Sequence, residues 1–260
     1  MYKFGVVNTL SFGVIAIIAI GIALLSIEFG WCLGIKVAKR KNIKAGASFY
    51  IAVGATMGLL SFILATTFGM AAARFDLRKA NVVTEANAIG TTYLRIDFLP
   101  DSLREEARQL IRSYTTLRSG GESSIISVDG MAKSANIQDR LWMIGSIAVK
   151  QSDTISVGLF IQSLNDMIDM DTTRVTTLRN RLPDNIWLML TLITIFSMAS
   201  LGFEFGIQGY RSWIGNILLV IAFTSVILLI ADLDRPQQGL VQVSQQPLID
   251  LLNRIGGPLP

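Results

Sequence analysis

The stretch FYIAVGATMGLLSFILATTFGMAAA, residues 49–73, contains no charged side chain. A helix needs about 20 residues to cross the roughly 30 Å hydrocarbon core of a bilayer, so this stretch is long enough to span a membrane. From residue 74 to Phe98 the chain becomes polar without meeting a proline or a turn cluster. The spanning helix is therefore predicted to continue into water as one long helix.

Three further segments have the same character. Residues 213–231 carry no charge, residues 6–34 carry only Glu28, and residues 186–206 carry only Glu204. Charged residues make up 16% of the chain, against about 25% in an ordinary soluble domain. The shortage is confined to these four segments. The sequence therefore predicts four membrane-spanning helices, the first too long and without the small-residue cleavage site of a signal peptide.

The four predicted spans divide the chain into an all-α protein with two hairpins and an intervening helical soluble domain. We predict a first transmembrane hairpin at residues 1–73, a helical domain at 74–185, a second hairpin at 186–232 and a tail at 233–260. Within the helical domain, apolar residues recur at helical spacing over 103–117, 137–148 and 157–178. Pro100 and Pro183 separate helices, and the serine- and glycine-rich stretch before Gly130 predicts a loop.

Composition excludes several kinds of chemistry. The chain has no histidine and one cysteine, Cys32, so histidine–metal sites, thiolate metal sites and internal disulfides are not expected. Asp166, Asp169 and Asp171 lack the alternate spacing of a calcium loop and indicate a solvated helix face. We expect no cofactor, no metal and no enzyme activity. The net charge of +4 comes from basic residues that cluster at the membrane boundaries and do not form a binding stripe. We therefore expect no nucleic-acid partner.

Glu28 and Glu204 are the only ionisable groups inside the apolar stretches. Such acids are costly in lipid, so each faces a bundle interior, a water-filled path or a positive partner, or lies at headgroup depth beside the basic loop that follows. Ile27-Glu28-Phe29-Gly30 also resembles Phe203-Glu204-Phe205-Gly206. An internal repeat, as in some transporters, and coincidence both remain open.

The second span has two distinct faces. Gly54 and Gly58 begin a stripe of small residues that suits close helix packing. Leu59, Phe62 and Ile63 lie on the apolar face, and Thr66 is a further pore candidate. If several copies surrounded an axis, the apolar face would form a hydrophobic constriction. Packing alone explains the same pattern.

Two groups of polar residues are candidates for buried networks. Glu85, Asn87 and Arg95 interrupt a stretch rich in small residues, which predicts that another helix packs closely there. After the last span, Asp232 or Asp234 is predicted to pair with Arg74 or Arg78, and Arg235 with Asp76 or Glu85. These pairs would hold the tail against the base of the helical domain; the alternative is a stop signal at the headgroups. The residues of this second network are Asp232, Asp234, Arg235 and Arg74.

Two segments resemble the bestrophin-like domain, also called DUF4239. The first is Arg74-Phe75-Asp76 together with the run EANAIGTTYLR at 85–95, and the second is Asp232-Leu233-Asp234-Arg235-Pro236. The second segment is followed by further matching residues, namely Gly239, Val243, Ser244, Pro247 and Leu248. The arrangement of two plus two spans around a helical domain is also similar.

The resemblance implies a function. Bestrophins proper are pentameric, mainly anion-selective channels whose second span lines the pore and carries a hydrophobic neck. By resemblance, Leu59, Phe62 and Ile63 form the neck here, the chain is a homo-oligomer, and its partners are membrane lipid and inorganic ions. The acidic calcium cluster of animal bestrophins is reduced to Asp232 and Asp234, so calcium gating is not expected.

The membrane orientation and one alternative function remain open. Five cations between residues 35 and 48, together with Arg211, place the short loops in the cytoplasm by the positive-inside rule. The bestrophin arrangement instead places the helical domain and both termini there, in what we expect to be the bacterial inner membrane. The alternative to a channel is a membrane scaffold or regulatory protein that acts through the helical domain without conducting ions.

Overall fold

The computed structural model describes residues 11–41, 47–151, 154–235 and 240–256, and side chains from residue 50 onward in the second helix. These residues form nine α-helices, one 3-10 turn and no strand. In chain order the helices are α1 Phe12–Lys41, α2 Ala47–Arg95, α3 Asp101–Ser119, α4 Glu122–Ile125, α5 Val128–Gln151, α6 Ile155–Arg179, α7 Asp184–Gln208, α8 Trp213–Asp234 and α9 Gln246–Gly256, with the 3-10 turn at Ile96–Phe98. The all-α prediction is confirmed.

Four helices are long and apolar enough to cross a membrane, as the sequence predicted. They lie within Phe12–Arg40, Tyr50–Phe98, Ile155–Gln208 and Trp213–Asp234. The prediction that the second span continues without a break is also confirmed, because α2 runs for 49 residues. Its 3-10 extension ends at Phe98, two residues before Pro100, which cannot continue the hydrogen-bond ladder.

The chain forms two compact units. The membrane unit comprises residues 1–73 and 181–241, and the helical unit comprises residues 74–180 and 242–260. The C-terminal helix α9 belongs to the helical unit: Leu248, Leu251 and Ile255 are buried in its core. The Nε of Arg112 also donates to the carbonyl oxygen of Ile255 at 2.8 Å.

Within the membrane unit, α1 and α7 approach so closely that only glycine fits between them. A Cβ at Gly30 would collide with the carbonyl oxygen of Ala199, and one at Gly202 would collide with that of Ile27. One turn further along, Gly34 and Gly206 meet in the same way. Because residue numbers rise together along both contacts, the two helices run parallel. Each contributes a glycine pair with three residues between, the spacing that brings helix backbones together in membranes.

The helical unit encloses one core of apolar side chains from α2, α3, α5, α6 and the tail, including Ile89, Ile111, Leu141, Phe160 and Leu248. Helix α3 begins as expected after Pro100. Helix α6 begins after Thr154, whose hydroxyl accepts from the Val157 N–H at 3.4 Å. The expected loop up to Gly130 was wrong. Helix α5 starts at Val128 because the Ser127 hydroxyl accepts from the Gly130 N–H at 2.9 Å and caps it.

Candidate functional site

The pore candidates of α2 lie mostly on a face that no other part of the described subunit covers. Leu59 is 50% exposed and Phe62 63% exposed, while Ile63 is partly buried and Thr66 is exposed. The Thr66 hydroxyl donates to the Phe62 and Ile63 carbonyl oxygens at 3.1 and 3.0 Å. Its proton is therefore used within the helix, and the outward surface of this turn is largely apolar.

The opposite face of the same segment is packed. Val53, Leu60, Leu64 and Thr67 are buried and follow one another at helical spacing. Nearby, the Ser197 hydroxyl of α7 donates to the Thr56 carbonyl oxygen at 3.0 Å. The span therefore has one side fixed within the membrane unit and one side available to other molecules.

The glycines in the membrane-spanning part of α2 are not used for close packing within the described subunit. An added Cβ at Gly54, Gly58 or Gly69 meets no described atom within 4 Å. The close glycine contacts lie instead between α1 and α7. Gly54, Gly58 and Gly69 therefore leave this part of α2 open to close approach by another helix.

Glu28 pairs with Arg211, the single cation of the short loop between α7 and α8. The Nη2 of Arg211 donates to both carboxylate oxygens of Glu28, at 3.1 and 2.9 Å. The guanidinium also lies between two indole rings, 4.3 Å from the Trp31 centroid and 4.0 Å from that of Trp213. Glu204 accepts from Gln208 at 3.0 Å. Both intramembrane acids thus have partners near the loop end of their helices.

The deepest polar group of the helical unit is Glu85. Its carboxylate is fully buried and accepts from the Nε of Arg118 at 2.5 Å and from Arg174, both of which are also buried. Arg118 reaches Asp171 at 2.5 Å, and Arg174 donates to Gln245 of the tail segment. We call Glu85, Arg118, Asp171, Arg174 and Gln245 the buried charge cluster. It joins α2, α3, α6 and the residue before α9.

Gln138 hydrogen-bonds to the buried charge cluster. Its side-chain amide donates to Asp171 at 2.7 Å and to the Tyr114 hydroxyl at 3.3 Å. Burial raises the pKa of Tyr114 far above its ordinary value, against the opposing effect of Arg118. Burial alone lowers the pKa of Arg118, but Glu85, Tyr114 and Asp171 raise it, and the net shift is upward. Tyr114 therefore stays neutral and Arg118 stays charged at any physiological pH.

Asn87 and Arg95, which the sequence grouped with Glu85, lie elsewhere. Asn87 is exposed, and Arg95 donates to the Leu159 carbonyl oxygen at 2.7 Å. The prediction that this small-residue stretch packs closely agrees with Gly90, where an added Cβ would lie 3.4 Å from a methyl of Leu251. Glu85 draws its partners from α3 and α6 instead.

The acids after the last span bind backbone amides. Asp232 accepts from the N–H groups of Leu240 and Val241 at 2.6 and 3.0 Å, and Asp234 accepts from the N–H of Leu182 at 2.8 Å. Asp232 thereby holds the start of the tail against the end of α8, and Asp234 holds the residues that lead into α7. Arg235 is buried and Arg74 partly buried. The pairing of these acids with Arg74 or Arg78, and of Arg235 with Asp76 or Glu85, stays a prediction.

A family model of the bestrophin-like domain matches residues 36–248. The chain belongs to the bestrophin-like family. Its matched region runs from the last residues of α1 through α8 to the start of α9, and so includes the exposed face of α2, the buried charge cluster and the amide-binding acids.

Solved structures give the same fold. The bestrophin-like chain is similar to a bacterial bestrophin homologue from Klebsiella pneumoniae with a tyrosine-to-alanine substitution, at 15% identity and a TM-score of 0.63, covering 92% of this chain and 95% of that one. A leucine-to-threonine variant gives 14% identity and a TM-score of 0.62, covering 94% and 96%. A comparison with curated protein sequences gave no significant match. Family and fold together identify an integral membrane protein.

Sequence reasoning missed most partners in this bestrophin-like chain. Asp171 was expected on a solvated face, and this was wrong, because it lies inside between Arg118 and Gln138. The signal was present: Leu164, Met167, Asp171, Arg174 and Leu178 share one helical stripe, so the acid interrupts an apolar face. Among the described residues no three potential metal ligands lie together.

The contacts of Arg211 with Glu28 and two tryptophans are expected to stabilise the membrane unit. Arg211→Lys keeps the charge but loses both the planar stacking on two tryptophans and the fork geometry toward the carboxylate. Because the pair is about one third exposed, we expect a loss of only about 1 kcal/mol. Thermal unfolding of the full chain in detergent measures it. Arg140→Lys, at the exposed pair with Glu106, is the control, and equal effects would contradict the stacking role.

Proposed function

We propose that this chain is the subunit of an oligomeric bestrophin-like ion channel in the bacterial inner membrane. The proposed assembly is a homo-pentamer with the membrane-spanning part of α2 around the pore. The observation that carries the proposal is the uncovered apolar face of α2, with Leu59 and Phe62 outward. A ring of subunits with this face turned inward encloses a central pore that an ion can cross without entering lipid.

In this assembly Leu59, Phe62 and Ile63 form a hydrophobic constriction, and Thr66 follows one turn beyond. Rings of apolar side chains control conduction by excluding water from a narrow pore. We propose anions as the favoured ions, because mainly anion selectivity is what the resemblance to bestrophins implies. The four residues carry no charge, so they set the barrier to water rather than the sign of the ion.

Ion flux in protein-only liposomes tests the proposal, first with chloride and then with sodium. Phe62→Ala is expected to raise flux at least several-fold, because removing a large apolar ring lowers the barrier to water in the constriction. The matched control is Phe196→Ala on α7, whose side chain is 65% exposed. This control is expected to conduct as the parent does.

Two results would contradict the channel. One is the absence of flux from the parent chain, and the other is a mass measurement in nanodiscs that finds only monomers. A flux change of the same size in Phe62→Ala and Phe196→Ala would contradict the position of the pore while leaving conduction intact.

A second candidate function is a membrane scaffold that acts through the helical unit. The observation in its favour is a set of outward apolar side chains on that unit, including Leu94, Trp142, Met143 and Ile155. Such side chains suit a protein partner. The scaffold is favoured if the parent chain carries no flux and if polar substitutions at Trp142 and Met143 abolish its cellular effect.

A further inference from the structure

The membrane unit contains a lateral cavity that the proposed pore does not use. Its volume is about 440 Å³, and its walls come from α1, α7 and one residue of α8. Nearly all the wall surface is hydrocarbon, contributed by Ile15, Ile18, Ile22, Leu188, Leu190 and Ile227. Ile18 and Leu188 are exposed, so the cavity opens sideways from the helices.

The threonine hydroxyls in the wall are already engaged. The Thr191 hydroxyl donates to the Trp187 carbonyl oxygen at 2.8 Å, and the Thr194 hydroxyl donates to that of Leu190 at 2.7 Å. Neither proton is available to a ligand. The middle of the cavity therefore favours an apolar occupant over a polar one.

One end of the cavity has a different chemistry. Asp184 and Trp187 lie on the first turn of α7, three residues apart and thus on one face of the helix. Tryptophan prefers the headgroup level of a bilayer, which places this end at the membrane surface. Asp184 is exposed, and no ion pair joins it to another residue in the described part of the chain. The end of the cavity thus offers a carboxylate and an indole N–H.

We propose that this cavity is a binding site for one phospholipid with a primary ammonium head group. One acyl chain lies along the isoleucine and leucine wall, the ammonium group donates to the Asp184 carboxylate, and the Trp187 N–H donates to a phosphate oxygen. Asp184 repels an anionic head group that has no ammonium. The charge at the cavity end thus selects phosphatidylethanolamine over phosphatidylglycerol. The site depends on the membrane unit alone and does not rest on ion conduction.

Native mass spectrometry of the full chain, purified in detergent, delipidated and titrated with either lipid, tests the site. We expect one phosphatidylethanolamine per subunit, bound roughly tenfold more tightly than phosphatidylglycerol, as one charge-assisted hydrogen bond allows. Asp184→Asn is expected to remove this preference and leave binding of both lipids. Ala19→Phe, which fills the cavity from α1, is expected to abolish binding of both.

The matched control is Ile17→Phe, because Ile17 is on α1, is 72% exposed and does not line the cavity. It is expected to bind lipid as the parent does. Thr191→Phe fills the cavity from the opposite wall, so the test stands if Ala19→Phe does not fold. Equal binding of the two lipids by the parent, or equal loss in Ile17→Phe and in the filling variants, would overturn the proposal. If the filling variants change the number of subunits but bind lipid as the parent does, the cavity is a contact with a second copy of the chain. That result would also overturn the proposal.

Discussion

Glu85→Gln is expected to destabilise the helical unit by about 3–5 kcal/mol, the usual cost of removing one partner from a buried ion pair. The Glu85 carboxylate is the shared acceptor of Arg118 and Arg174, and all three side chains are buried. Glutamine has nearly the same shape but no charge, so among the described residues the two guanidinium groups would then have only Asp171 as a counter-ion. A unit of this size is stable by only about 5–15 kcal/mol in total.

The measurement is thermal unfolding of the full chain, where we expect a fall in Tm of more than about 10 °C. Glu106→Gln is the matched control, since Glu106 pairs with Arg140 on the surface with both side chains more than 40% exposed. Exposed pairs contribute about 0–1 kcal/mol. Similar melting of the two variants would contradict the structural importance of the buried charge cluster.

A double variant distinguishes charge imbalance from lost packing. If the damage in Glu85→Gln is the excess positive charge, adding Arg174→Met removes that excess and is expected to restore part of the stability. Buried ion pairs replaced by apolar groups of similar volume are often neutral or stabilising. If the two substitutions simply add their costs, the cluster acts through packing and not through charge.

The spans could be predicted from the sequence because their signal is local. Residues 49–73 and 213–231 carry no charge, and a bilayer of fixed thickness converts that length directly into a spanning helix. The continuous helix from Ala47 to Arg95 followed from the same local reasoning, since nothing within it breaks a helix. These features needed no knowledge of which residues meet in space.

The buried charge cluster could not be assembled in the same way. Arg118 and Arg174 lie 33 and 89 residues from Glu85 along the chain, and no local pattern pairs them. Asn87 and Arg95 were grouped with Glu85 because they are neighbours in sequence, although the helix turns Asn87 toward solvent. What the sequence did contain was three charged residues, Glu85, Arg118 and Arg174, each on the apolar stripe of its own helix.

The glycine contact between α1 and α7 could be predicted only in part. The similarity of the segments ending at Gly30 and Gly206 was visible in the sequence, and the structure places both at one helix contact. Each segment carries a second glycine four residues from the first, Gly34 and Gly202 respectively. The spacing is local, but the choice of partner is not, because the similar glycine pair Gly54 and Gly58 meets no described atom.

Gly30→Ala is therefore expected to be among the most damaging single-methyl changes in the membrane unit. Its Cβ would collide with the backbone carbonyl of Ala199, which cannot rotate away as a side chain can. The two helices must separate along their whole contact, including Gly34 and Gly206. Overpacking of this kind typically costs about 1–3 kcal/mol, occasionally more, and Gly202→Ala should reproduce it through the Ile27 carbonyl.

The control lies on the same helix, where Gly21→Ala places a methyl group that meets nothing within 4 Å. Alanine is favoured over glycine inside a helix by about 0.5–1 kcal/mol, so this variant is expected to raise Tm while Gly30→Ala lowers it. Thermal unfolding of the full chain in detergent, followed by the fraction that stays monodisperse, measures both. Opposite signs from the same substitution isolate the close approach of the two backbones. A rise in Tm for Gly30→Ala would mean that α1 and α7 do not pack through their glycines.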